Sequence, residues 1–431
     1  MLSEGSLQDL FRVSKKWGIV LAGLTIRLCL APFTAHPSDM SLWEYFGRTL
    51  LVEHGNPYAT FAYPPPWIYV TGAMYSLYLL FPNEFFLNLI LKFPIILGDI
   101  LMGLTIYSVV LDLSGSQKKA DYALALFLLN PYVIWISSAW GMFDVLPALC
   151  TFLALRFFLR GQKKVSALLL GLGIAFKYYP ALLLPLLLML EWRDGSRISS
   201  VAQYIFYVSL PLIITSAPFM ILDWNSFLRQ LFSSSLMIHG MWNTPVSYLA
   251  FLYILRDLSP NVFNQLMNNF WWSNILSYSL FVMLYFLMMA RLRKVSGSTF
   301  EFLNNSFLAT LLVFFLSSKM VNEQYFIWAL PFIIVNLTFN SENKILFEIL
   351  WPAIFAFFSV NVPLYNFIPD VQRRTYNYTA FLAPLVDFYE NGVPAIYKST
   401  SLFILGLTIS VVCALYFSRL LKTFNSNQTK E

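Results

Sequence analysis

Charge is scarce in this chain: 12% of its residues are Asp, Glu, Lys or Arg, against 58% hydrophobic and 18% aromatic. Soluble domains carry about a quarter charged residues, so an ordinary water-facing surface cannot be covered with what is here. Histidine is scarcer still, with His36, His54 and His239 as the whole supply, which leaves little basis for a histidine-held metal. Cysteine stops at Cys29, Cys150 and Cys413, far apart and each inside an apolar run. That excludes a disulfide framework and a metal knuckle alike. No Gly-x-x-x-x-Gly-Lys-Ser/Thr string occurs, so the nucleotide signature of a pump is missing. Nor is there an inverted internal repeat with paired Gly/Pro-interrupted helices of the kind many transporters carry.

What the chain has instead is apolar length. Mean hydropathy is +0.64, and runs of spanning character recur at residues 17–33, 87–111, 122–138, 146–159, 165–176, 181–190, 201–221, 275–290, 307–316, 325–339, 345–360 and 401–417. They predict an all-α polytopic membrane protein with about twelve transmembrane helices. The first run lacks a small-residue cleavage site and is expected to be retained. Residues 64–81 begin with three prolines and are rich in tyrosine, which predicts an interfacial helix in the first external loop rather than a span.

The formal charge of +6 is an orientation signal here, not one for nucleic acid. With a cytoplasmic N-terminus, the clusters at Arg12/Lys15/Lys16, Lys118/Lys119, Arg160/Lys163/Lys164, Arg193/Arg197, Arg291/Arg293/Lys294, Lys344 and Arg419/Lys422 all fall on one side, as the positive-inside rule requires. The expected organisation is a cytoplasmic N-terminus at 1–16 and a transmembrane catalytic core at 17–339, including the external loop 34–86. C-terminal transmembrane helices follow at 340–421, with an external loop at 361–400, and then a cytoplasmic tail at 422–431.

The opposite side collects the polar chemistry. It holds His36, Asp39, Glu44 and Tyr63 in the first loop, Asp144 after an aromatic turn, and Lys177 and Tyr178 before Pro180. Lys319, Asn322, Glu323 and Gln324 follow, then Arg373 and Arg374 in the late loop. Each has a structural alternative. Asp39 and Asp144 stand where helix caps stand, Lys177 and Lys319 can snorkel to the interface, and Trp43, Tyr45, Tyr58, Tyr63 and Trp67 suit a membrane belt. Collected on one side of a chain this poor in charge, they also describe a single external active site.

Strings at these positions carry a resemblance. Asp39, Gly55-Asn56-Pro57-Tyr58, Tyr63-Pro64-Pro65, Leu129-Asn130-Pro131-Tyr132, Trp140-Gly141-Met142-Phe143-Asp144, Phe176-Lys177-Tyr178-Tyr179-Pro180 and Asn322-Glu323-Gln324-Tyr325-Phe326 come in one order. That order resembles the C-type superfamily of polyprenyl-phosphate-sugar glycosyltransferases. Within it, the resemblance is to the mannosyltransferases that add the first mannose in glycosylphosphatidylinositol synthesis and to their archaeal and bacterial relatives. The resemblance implies transfer of a hexose, mannose first, from a dolichyl- or polyprenyl-phosphate sugar to a glycolipid or lipid-linked oligosaccharide on the lumenal or extracellular face. The membrane would be the endoplasmic reticulum in a eukaryote and the plasma membrane in a prokaryote.

It also implies roles: Asp39 as general base with inversion, Lys177, Lys319, Arg373 and Arg374 at the donor phosphate. His36, Glu44, Tyr63, Asp144, Tyr178, Asn322, Glu323 and Gln324 would contact sugar or acceptor. Ser38-Asp39-Met40 departs from the family's Asp-any-Asp pair. One of two carboxylates that would hold a divalent cation is missing, which argues against metal dependence; no other cofactor is implied, and no partner subunit is legible. The competing class is a transporter or flippase of lipid-linked glycans, which would also combine many spans with a few intramembrane charges.

Overall fold

The computed structural model describes residues 4–60, 63–193, 198–236, 246–268, 271–292, 299–319, 321–368, 384 and 386–426, and every regular element among them is helical. Helix α1 (Glu4–Leu30) leads into the first loop. There α2 (Pro37–Leu51) starts on Pro37, whose ring presets the helical φ, and on the His36 imidazole, which accepts from the Asp39 N–H. Asp39 therefore sits inside the first turn of α2 and does not cap it. Helix α3 (Pro65–Tyr78) also begins on prolines. At about 1.5 Å per residue its 14 residues fall short of a roughly 30 Å hydrocarbon core. It packs on α2 instead of spanning.

Helix α4 (Glu84–Ser114) opens with the Asn83 side chain accepting from the N–H groups of Phe85 and Phe86, and closes at Gly115, φ 60°. A left-handed glycine just past the helix end is the usual way to satisfy its last carbonyls. Helices α5 (Gln117–Leu128) and α6 (Pro131–Ile134) are one run broken by a 43° bend. Pro131 cannot continue α5, and Asn130 caps the restart by accepting from Tyr132 N–H. A single π turn, Trp135–Trp140, then ends at Gly141, φ 88°.

Next come α7 (Val145–Leu159), α8 (Lys163–Phe176), α9 (Leu184–Arg193), α10 (Ile198–Leu222) and α11 (Trp224–Leu236). They are followed by α12 (Phe251–Leu258), α13 (Pro260–Asn268), α14 (Trp271–Leu292), α15 (Phe300–Ser317), α16 (Phe326–Phe339), α17 (Lys344–Asn361) and α18 (Ala395–Ser426).

Every one of the twelve predicted segments is helical, but among the described residues seven helices are long and apolar enough to cross a membrane, or eight with the bent pair. The other four, α7, α8, α9 and α16, have 15, 14, 10 and 14 residues. They are short for a shared reason. The chain leaves regular helix at Asp144, at Lys177 to Tyr179 and at Asn322 to Tyr325, where the polar residues gather.

Burial sorts the helices. The spanning window of α15 is 78% buried, whereas those of α10 and α14 are 11% buried and turn Ile213, Ile214, Val282 and Phe286 outward. Such faces are untenable in water and ordinary in lipid. The centre holds polar ties. Arg27 and Asp99, both fully buried, meet at 2.7 Å, and Arg27 also donates to the Leu128 carbonyl at the α5 break. Removing one partner of such a pair costs about 3–5 kcal/mol. Asn336 of α16 links Asn305 of α15, Asn343 and Tyr416 of α18. The chain is an integral, multi-pass membrane protein.

Candidate active site

Four segments from distant parts of the sequence converge at one end of the bundle: the start of α2, the turn 140–144, the end of α8 and the turn before α16. Oδ2 of Asp39 accepts from the Trp140 indole N–H at 2.6 Å and lies 2.8 Å from Nδ1 of His36. Oδ1 has no protein partner among the described residues. The Trp140 ring is clamped between His36 (centroids 4.9 Å, 26°) and Phe358 (5.3 Å, 25°), so the donor is fixed in direction. The same turn is gripped twice more, by Trp43 Nε1 donating to the Gly141 carbonyl at 3.0 Å and by Lys92 Nζ donating to the Ala139 carbonyl at 3.1 Å.

Asp144 occupies the N-cap position of α7 without capping it. Its Oδ1 instead accepts from Lys177 Nζ and Trp328 Nε1, each at 2.6 Å, and the side chain is fully buried. Burial pushes its carboxyl above the ordinary range and the Lys177 ammonium pulls it back, with burial the larger effect. Oδ2 has no partner among the described residues. Lys177 does not snorkel: it lies 5.0–5.4 Å over the rings of Tyr325, Phe143 and Trp328. Trp328 is itself stacked between Tyr179 (3.8 Å, 3°) and Tyr325 (4.1 Å, 20°).

Tyr63 has its phenol held well above the ordinary range, by burial first and then by the charges of Asp39, Tyr325 and Asp144. Glu323 is buried, with Oε1 accepting from Asn361 and its carbonyl accepting from Tyr132 Oη at 2.5 Å. Gln324 Oε1 is buried without a partner among the described residues. Asn322 precedes them, its Nδ2 3.5 Å from Tyr325 Oη.

Other predicted residues stand apart. Glu44 lies five residues and about 140° around α2 from Asp39, toward α3, where burial first and then the Glu44 charge raise the phenols of Tyr75 and Tyr78. Tyr178 is exposed. Lys319 is buried in the link between α15 and the Glu323 turn, and burial lowers its ammonium. Arg373 and Arg374 lie outside the described residues. Trp43, Trp67 and Tyr58 are buried beneath the loop rather than arrayed as a membrane belt, because α3 folds back over α2. Trp43 and Trp67 pack edge to face at 5.4 Å.

The sequence reading missed Lys92, Trp140 and Trp328 as site residues. Lys92 had a signal, being a cation inside an apolar helix. It is fully buried and donates to the carbonyls of Ala31, Thr34 and Ala139, which ties the end of α1 to the π turn. The indoles had none, since tryptophan is common throughout this chain.

The donor set does not suit a hard cation. Pro37 and Ser41, the residues two positions either side of Asp39, carry no carboxylate, and no group of three His, Cys, Asp or Glu lies together among the described residues. Mg²⁺ and Ca²⁺ take several oxygens. No step below is routed through a metal.

Three comparisons bear on this arrangement. GPI mannosyltransferase 1 of Saccharomyces cerevisiae is 28% identical over 180 residues, 38% of this chain and 41% of that protein. The chain thus matches less than half the length of that relative. The crystal structure of ArnT from Cupriavidus metallidurans in the apo state aligns over 94% of this chain and 76% of its own, with 14% identity and a TM-score of 0.49. The model described as Glycosyltransferase family 87 matches residues 61–318, which is more than half of the chain and takes in Tyr63, Lys92, Trp140, Asp144 and Lys177. This chain is therefore a membrane glycosyltransferase of glycosyltransferase family 87.

Proposed function

We propose that the chain moves a hexose, mannose first among the candidates, from a dolichyl- or polyprenyl-phosphate donor to a hydroxyl of a glycolipid or lipid-linked oligosaccharide. The face is lumenal or extracellular, with the N-terminus cytoplasmic, and the short helices α7, α8, α9 and α16 sit within the membrane beside the spanning ones to make up the twelve. The observation that carries this reading is the Asp39 carboxylate, whose Oδ2 accepts from Trp140 and lies against His36, beside the buried pair of Asp144 and Lys177.

The chemistry follows from the groups present. Asp39 Oδ1 takes the proton of the acceptor hydroxyl while that oxygen attacks the anomeric carbon. The bond from that carbon to the phosphate oxygen breaks, the phosphate leaves with the electron pair, and attack from the opposite side inverts the centre. Lys177 spends one N–H on Asp144 and has further donors for the departing phosphate. Lys319, Arg373 and Arg374 are further candidates there. Asp144 Oδ2 and Gln324 Oε1 are buried acceptors that a sugar hydroxyl would satisfy. His36, Tyr63, Tyr178, Asn322 and Glu323 would line the sugar or acceptor, and the position of Glu44 against α3 makes it the weakest member of the set. The curated yeast relative is named a mannosyltransferase, which favours mannose.

The test is transfer by the purified protein, with radiolabelled dolichyl-phosphate mannose as donor and a crude lipid extract of the source organism as acceptor. Asp39→Asn should cut transfer by roughly a hundredfold, the scale of a lost general base. Transfer that survives in the variant moves the base elsewhere. A folded wild type that transfers from no polyprenyl-phosphate sugar turns weight to glycan transport.

A further inference from the structure

Helix α7 has a second chemically loaded end. Asp144 marks its start and Arg156 and Arg160 its finish, and about 18 Å of helix separates Asp144 from Arg156. At this far end a cavity of about 240 Å³ opens between α4, α7 and α15, lined by Val109, Asp112, Leu113, Arg156, Arg160 and Phe300. We propose that this cavity binds a phosphate group, that of an anionic lipid headgroup seated at the ends of the helices.

Charge is the first argument. Two guanidinium groups converge on one carboxylate, Arg156 Nη2 at 2.8 Å and Arg160 Nη2 at 3.5 Å from the same Oδ2 of Asp112, leaving one positive charge over. Offsetting the C-terminal dipole of α7 accounts for part of an excess cation, but not for its position against apolar walls. Asp112 and Arg160 are about half exposed, whereas Arg156 is 16% exposed.

Donors are the second argument. Arg156 is fixed through Nη2 alone, which donates to Ser108 Oγ at 2.7 Å and to Asp112. Its Nε and Nη1 have no protein partner among the described residues. Nε and Nη1 lie on different edges of this guanidinium, so each offers one charged N–H to a phosphate oxygen. Size and place agree: 240 Å³ is room for about eight waters at roughly 30 Å³ each. The walls from Val109, Leu113 and Phe300 suit the glycerol and upper acyl carbons of a lipid. Basic pockets between membrane helices at headgroup depth are where anionic lipids bind. The proposal needs only that the chain spans a membrane, so it stands apart from the sugar-transfer reading.

The experiment is thermal unfolding of the full-length protein in a neutral detergent, titrated with phosphatidylglycerol, phosphatidylcholine or inorganic phosphate. Phosphatidylglycerol should raise Tm saturably at concentrations where phosphatidylcholine does not. Arg156→Gln/Arg160→Gln should weaken half-saturation at least about tenfold. Asp112→Asn, which removes the competing carboxylate, should tighten it severalfold, an outcome that a purely structural ion pair does not give. Because Arg160 is half exposed, Arg160→Gln alone serves if the double variant fails to fold, with a smaller weakening expected. Inorganic phosphate reproducing the full shift supports the phosphate site and removes the lipid as its source. Equal responses to the two lipids, or an unchanged response in the arginine variants, overturn the proposal.

Discussion

Trp140 and Asp39, 101 residues apart in sequence, meet through one indole N–H donated to one carboxylate oxygen at 2.6 Å. Two stacked rings hold the indole, so the bond fixes where the other oxygen of Asp39, Oδ1, points. In Trp140→Phe the stacking survives and the donor is lost. A hydrogen bond to a charged group contributes about 1.5–3 kcal/mol, so kcat for sugar transfer should fall roughly ten- to a hundredfold while donor KM changes less than threefold. Steady-state kinetics on the purified variant decide it; a change in KM alone would mean that Trp140 serves binding.

Asp144 and Lys177 should behave as a unit. Removing either leaves its partner buried and unmatched, at a cost of about 3–5 kcal/mol. Asp144→Asn and Lys177→Met should each lower Tm sharply. The double variant should be more stable than the sum of the two losses predicts, by at least about 1 kcal/mol of coupling. A double-mutant cycle on thermal unfolding measures this, and additive losses would show that the 2.6 Å contact is not energetically coupled.

Gly141 adopts φ 88°, and a Cβ there would meet Met40 Sδ at 2.7 Å and Lys92 carbons at 3.3 Å. Gly141→Ala therefore combines about 1–2 kcal/mol of left-handed strain with a clash that pushes α2 off the turn. Transfer should drop more than stability does, because the displaced turn carries Trp140. Parallel activity and melting measurements check the difference.

Lys92→Met keeps length and apolar bulk but strips hydrogen bonds from the carbonyls of Ala31, Thr34 and Ala139. Each carbonyl left unsatisfied in the interior costs about 1–3 kcal/mol. Tm should fall by more than it does in Lys118→Met, whose side chain lies near a helix end away from this site. A wild-type melting temperature for Lys92→Met would remove Lys92 from the group that positions the π turn.

The legible part of the site was its list of charged residues. Asp39, Asp144, Lys177 and Glu323 stood out because charge is costly in an apolar chain, and Pro37 and the prolines at 64–66 marked the helices of the first loop. The span count was less legible. Hydropathy locates an apolar run but not the point where it stops being helix, so α7, α8, α9 and α16 look like spans in sequence and turn out to be 10 to 15 residues long. Trp140 and Trp328 left no mark because their role is a direction of hydrogen bonding.

Composition and apolar periodicity by themselves determined that this is a helical membrane protein and which few charged side chains stand out in it. Both follow from local transfer free energies that each segment carries alone. Tertiary structure alone decided which of those side chains meet. It gave Asp39 to Trp140 and His36, Asp144 to Lys177 and Trp328, and Glu44 to α3. It also placed Lys92 under the turn between them. Such pairings depend on helix ends, a π turn and a 43° bend brought into register by packing, and no single segment of the sequence carries that information.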